Sequence, residues 1–108
     1  MSVAGITDQQ QDKGEADNAV VTITIAQRIG HSIVLDWVLS GFNDRTISQI
    51  MRIEQPLSTV KQKYPVHGAD GFSLPIVFQP GNDVSLVLPA SGVAGKVGFL
   101  GCGWHYIT

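Results

Sequence analysis

The sequence predicts an all-β fold: a single β-sandwich or jelly-roll-like domain of about seven antiparallel strands over residues 19–108, behind a flexible N-terminal arm over residues 1–18. Three observations predict it. Apolar residues recur at every second position in segment after segment, the period of a pleated strand with one face turned inward. Clusters of Gly, Pro, Asn and Asp separate these segments at the short spacing typical of sandwiches. No linker, internal repeat or sustained helical period interrupts the series.

Composition narrows the function classes. A chain of 108 residues makes one domain, long enough to bury a core without disulfide or metal. Charged residues are only 15% of it, against about 25% in ordinary domains. Five of the sixteen charged residues lie in residues 1–18, which leaves eleven for the body. A small domain needs polar surface to stay soluble. A body this poor in charge is covered by other chains, or else by Ser, Thr, Gly and Asn. Net charge is −2, split into −3 on the arm and +1 on the body, with no cluster of Lys and Arg. Phosphate binding needs such a cluster, so no nucleic-acid partner is expected. No apolar run approaches 18 residues and no charged-then-apolar leader follows Met1. Neither a membrane span nor a signal peptide is expected. A lone cysteine forms no intrachain disulfide, and Cys102, inside an apolar strand, is expected as a buried thiol.

The elements follow in order. Residues 1–18 are polar, acidic and Gln-rich, with Val3 and Ile6 as their large apolar residues. They read as a disordered tail or as an arm that orders on a neighbouring subunit. AVVTITIAQ alternates, with Val21, Ile23 and Ile25 inward and Thr22 and Thr24 outward. After a turn at Gly30, HSIVLDWVLSG places Ile33, Leu35, Trp37 and Leu39 on one face. Asp36 falls on the other face between Val34 and Val38, as a solvated or paired strand residue. GFNDRT turns the chain. TISQIMRIE puts Ile47, Met51 and Ile53 on one side and ends at Pro56; a short helix is possible there, but the extended form suits its surroundings.

STVKQKYPV sets Val60, Tyr64 and Val66 against Lys61, Lys63 and Pro65. Proline donates no ladder hydrogen bond and lysines guard edges, so this is an expected edge strand. Asp70-Gly71 signals a tight turn. FSLPIVF then aligns Phe72, Leu74, Ile76 and Phe78, with Pro75 marking an edge or bulge. DVSLVLP and GKVGFLGCGWHY read as a closing hairpin joined by ASGVAG. Val84, Leu86 and Leu88 share a face, which Val97 and Phe99 are expected to continue as core. The last strand is apolar on its other face too, with Leu100, Cys102, Trp104 and Tyr106 there. Such a strand is central or pressed against another chain. Trp37, Phe72, Ile76, Leu86, Leu88 and Phe99 are expected to be largely buried, and Leu100, Trp104 and Tyr106 are candidate interface residues with Val3 and Ile6.

No motif points to catalysis. His31, His67 and His105 lie more than 30 residues apart and fit no metal-ligand spacing. No serine sits in a nucleophile elbow, no pair of carboxylates is singled out, and Lys96 lacks the glycine spacing of a phosphate loop. Catalytic, cofactor and metal residues are therefore expected to be none. Trp104 and Tyr106 on one face could stack a sugar or base.

Three segments carry a resemblance: GHSIVLDWVLSGF, GADGFSLPIVFQPGNDVSLVLPASG and GVAGKVGFLGCGW. A glycine and polar pair lead into a Trp-bearing strand. An aromatic–aliphatic strand, a proline turn and an alternating strand follow, and a glycine-rich turn opens a glycine-spaced last strand. Together they resemble small phage virion β-sandwich proteins of the capsid decoration (cement) type. The resemblance implies a non-enzymatic structural protein on the capsid surface of a virion. Its partners would be the major capsid protein or other virion subunits, and it would form a homo-oligomer, trimer or dimer. The alternative is a carbohydrate- or surface-binding β-module of the fibre or adhesin kind, using Trp104, Tyr106 or the loops near His31 and His67.

Overall fold

The structure, a computed structural model, describes residues 9–15, 18–56, 59–67, 69–72 and 75–107. Nine strands run through them: β1 (Gln9–Glu15), β2 (Val21–Ile25), β3 (Ser32–Phe42), β4 (Ser48–Glu54), β5 (Val60–His67), β6 (Ala69–Phe72), β7 (Ile76–Phe78), β8 (Val84–Leu88) and β9 (Gly98–Ile107). All pair antiparallel, in two sheets. Sheet A has the order β1-β9-β3-β6, with β7 also on β3, and sheet B the order β2-β8-β4-β5. Inward side chains of both sheets join in one apolar core, so the all-β sandwich read from the alternation is the fold observed.

Sheet B keeps the expected alternation. Val21, Ile23 and Ile25 of β2 are fully buried, as are Val84, Leu86 and Leu88 of β8. β8 lies between β2 and β4, and even its outward Ser85 and Val87 are buried. β4 is extended, with Met51 and Ile53 inward and Ile50 exposed. β5 is the edge that Pro65 and the lysines announce. One detail departs from strict alternation. Ile53 opposes Gln62 but Glu54 opposes Val60, so the ladder slips at Lys61 and Val60 is exposed while Val66 is buried.

Sheet A departs more. In β3, Leu35 opposes Trp104 and Trp37 opposes Gly103, which leaves Asp36 as the extra residue of a β-bulge. The bulge reverses the phase: Ile33 and Leu35 face the core before it, Val38 and Phe42 after it, and Leu39, expected inward, is 46% exposed. Trp37 is half-buried for the same reason. Ile76 and Phe99 are also half-buried rather than largely buried, whereas Leu86 and Leu88 are fully enclosed. The side chain of Phe72 lies outside the described residues.

Three connections differ from expectation. β8 and β9 are no hairpin: they belong to different sheets, and ASGVAG carries the chain across the sandwich. Gly92 (φ 84°) and Gly95 (φ 79°) supply left-handed backbone there. Because the two strands share no sheet, the face of Val84, Leu86 and Leu88 does not continue into Val97 and Phe99. The core face of β9 is instead that of Leu100, Cys102 and Trp104. Asp70-Gly71 is not a turn but part of β6, laddered against Ser40 and Leu39 of β3. Finally, Gln9–Glu15, expected within a flexible arm, form β1 on the edge of β9. Val3 and Ile6 lie outside the described residues.

β9 is thus central to sheet A, between β1 and β3. Its Gly98 faces the core against Val21 and Leu88 of the other sheet. A Cβ there would lie 3.3 Å from Val21 Cγ2, 3.4 Å from Phe42 Cε1 and 3.5 Å from Leu88 Cδ2. Glycine at this position is what lets the two sheets close over one another.

Candidate functional site

The interface residues expected on β9 are largely enclosed. Leu100 is 1% exposed and Trp104 8%, and both belong to the core of the single chain. The Trp104 indole Nε1–H is buried and has no hydrogen-bond partner among the described residues. Tyr106 is half-buried at the end of the sandwich, its hydroxyl donating to the Ala26 carbonyl at 2.6 Å. The Arg28 guanidinium lies 3.9 Å from the ring centroid of Tyr106, a cation–π contact that closes the loop after β2 over the ring. Neither Trp104 nor Tyr106 therefore offers an open ring face for a sugar. The apolar character of this β9 face matches its place in the core of the sandwich.

The surface that does carry apolar side chains is the outer face of sheet A. The bulge at Asp36 turns Trp37 and Leu39 onto it. Phe99 and Ile107 of β9 share the face, and Val77 of β7, 62% exposed, stands opposite Val34. Between them the ladder sets Gly103 opposite Trp37 and Gly101 opposite Leu39, so the middle of β9 adds no side chain to this face.

At the other end of this face lies a polar pair. His105 Nδ1 is 2.9 Å from Asp36 Oδ2. A carboxylate oxygen accepts, so Nδ1–H is the donor in this bond. Both side chains are largely enclosed, at 8% and 15% exposure. The bulge is what lets them meet: it keeps Asp36 on the outer side, next to the Val34–His105 pair of the ladder. Such a pair fixes the imidazole and ties β3 to β9. No group of three or more His, Cys, Asp or Glu gathers for a metal among the described residues.

The outer face of sheet B is polar by comparison. Arg52 Nε donates to Glu54 Oε1 at 3.0 Å, and Thr24 and Ser85 hydroxyls lie 3.4 Å apart across β2 and β8. An open groove runs past Ile50, Arg52, Lys63, Pro65 and Pro89. At the loop end, Asp44 accepts from the hydroxyl and amide of Thr46, at 2.6 and 2.8 Å, and lies 3.3 Å from Lys96 Nζ. The Thr46 bonds first, then Lys96, hold the Asp44 carboxyl down at about 2.

Fold and faces together define a two-sheet antiparallel β-sandwich. The chain matches no family model, no curated protein and no solved structure. Sequence reasoning missed both the outer face of sheet A and the Asp36–His105 pair, because each depends on the bulge. The one available signal was an acid inside the apolar run SIVLDWVL, where a bulge can accommodate it.

Proposed function

We propose that this protein is a non-enzymatic virion structural protein of the capsid decoration type, attached to major capsid subunits through the outer face of sheet A. The observation that carries the proposal is the apolar set Trp37, Leu39, Val77 and Phe99 on the outer face of sheet A, where Leu39 is 46% and Val77 62% exposed. Contiguous apolar surface on a small domain marks a contact with another macromolecule. The low charge of the body, eleven residues in 19–108, supports the same conclusion. So does the resemblance carried by GHSIVLDWVLSGF and GVAGKVGFLGCGW. A shell offers many identical sites, so a symmetric oligomer of this chain gains avidity from contacts that are individually weak. The test is co-sedimentation with capsid shells of the cognate virion. Wild-type protein binds and a Leu39→Glu, Val77→Glu variant, which alters only exposed side chains, stays in the supernatant. Equal binding by both proteins, or no binding by either, overturns the proposal.

A further inference from the structure

The four-strand path of sheet A ends on β1, and β1 is an unusual edge strand. Its sequence, QQQDKGE, contains no apolar residue. Composition alone denies it an apolar anchor, and what joins it to the sheet is the ladder from Gln9↔Trp104 to Glu15↔Gly98. The strand beneath is the opposite. The stretch of β9 that β1 covers, Gly98 to Trp104, reads GFLGCGW, with no charge and no proline.

Other edges protect themselves. β5 carries Lys61, Lys63 and Pro65, β7 is only three residues long, and β2 only five. Lysine, proline and shortness are the usual guards against pairing with another chain. β9 has none of these over Gly98–Trp104, and the strand β1 is what covers that edge. The connection between donor and sandwich is short, since residues 16–20 join β1 to β2 and cross from sheet A to sheet B. Within it Asn18 sits in the left-handed region (φ 63°), pinned by Gly92 N–H to its Oδ1 at 2.7 Å and by its own N–H to the Lys96 carbonyl at 3.1 Å. Asparagine tolerates this conformation better than most residues, but not without strain. Short hinges under strain favour exchange of the strand they hold.

We infer that the β9 edge is a strand-acceptor site, and that Gln9–Glu15 of a second copy of this chain occupies it in a strand-exchanged oligomer. The exchanged ladder is identical to the closed one, residue for residue. The two states differ only in the hinge and in the concentration of donor strands, which is why exchange is an easy route to self-association. Extending the hinge frees Asn18 from its left-handed conformation. Crowding of copies, on any repeating surface, raises the donor concentration. The inference does not depend on attachment to a capsid.

Gln11 lies directly opposite Cys102, the chain's one cysteine, and that pairing supplies the test. A tagged Gln11→Cys, Cys102→Ala protein offers a thiol only on the donor strand; the untagged wild type offers one only on the acceptor. The two are mixed, incubated and oxidised with glutathione disulfide, which takes up the two electrons and two protons of the new S–S bond. Non-reducing electrophoresis is expected to show a one-to-one tagged–untagged dimer that grows with total concentration and is lost when Gln11→Ser replaces Gln11→Cys. If no such dimer forms while Gln11→Cys alone closes fully within single chains, the inference is overturned. A Gln11→Cys chain that forms neither linkage overturns it too, because residue 11 then does not face Cys102. Size exclusion of the unaltered protein adds a measurement free of variants: a monomer at every concentration sinks the exchange.

Discussion

His105 donates to Asp36 across the β3–β9 ladder at 2.9 Å, between residues 69 positions apart in the chain. Both groups are largely enclosed, at 8% and 15% exposure, so the bond between them is made away from bulk water. Asp36→Ala leaves the imidazole without its acceptor and is expected to destabilise the fold by about 1–3 kcal/mol. The double variant Asp36→Ala, His105→Phe removes both polar groups and should recover part of that loss. Urea midpoints of the wild type, the two single variants Asp36→Ala and His105→Phe, and the double variant measure the coupling; additive effects would mean the pair contributes nothing of its own.

Trp104 is expected to respond in an unusual way to truncation. Trp104→Ala empties a core site and should cost about 3–5 kcal/mol. Trp104→Phe also removes the indole N–H, which has no partner among the described residues and whose burial then carries a penalty of about 1–3 kcal/mol. That relief offsets the lost apolar area, so Trp104→Phe should lie within about 1 kcal/mol of wild type. Thermal unfolding followed by far-ultraviolet circular dichroism separates the two variants. Equal large losses would show that the indole nitrogen is satisfied in solution.

Gly98 faces Val21, Phe42 and Leu88 with no room to spare. Gly98→Val is therefore expected to overpack the junction between the sheets, at about 1–3 kcal/mol. Hydrogen exchange should locate the damage at both β2 and β8, since the obstruction lies between sheets and not within one. Unchanged protection in those strands would refute the close approach.

Asp44 sets a pH dependence with a definite sign. Its carboxyl titrates at about 2 in the folded protein, below the ordinary 3.8, because Thr46 donates to it twice and Lys96 lies beside it. A depressed carboxylate stabilises the fold fully above its unfolded value, and that contribution fades as the pH falls from about 3.8 through about 2. Thr46→Val removes the largest cause. The Asp44 midpoint, followed by carboxyl carbon chemical shift, should then rise towards 3.8. A midpoint that stays put would assign the depression to the residue-46 amide and Lys96 instead.

Much of the fold is legible in alternation. VTITI and VSLVL each display one apolar face, and those faces meet in the core. Pro65 with Lys61 and Lys63 marks β5 as an edge, and the doubly apolar last strand is central. What failed has physical causes. A strand apolar on both faces does not reveal which one turns inward, so the face of β9 was assigned through a supposed hairpin. ASGVAG announces a change of direction but not a change of sheet. A bulge is one residue of extra backbone, invisible to a strict period of two, and it moved Leu39 outward and Val38 inward. β1 has no apolar period at all, because its place is set by backbone pairing. The candidate outer face of sheet A follows from the bulge and was hidden with it.

The ladder between β3 and β9 also governs when the protein can fold. Ser32–Phe42 find their main partner only in Gly98–Ile107. A nascent chain that stops short of Gly98 can assemble sheet B, since β2, β4, β5 and β8 precede that point. It must do so with the inner side of that sheet uncovered by Leu100, Cys102 and Trp104. During synthesis the growing polypeptide therefore passes through a half-built stage with sticky aliphatic surface, for as long as the ribosome takes to deliver the last strand. Contacts this distant in sequence form slowly, and the interval favours chaperone capture over spontaneous completion.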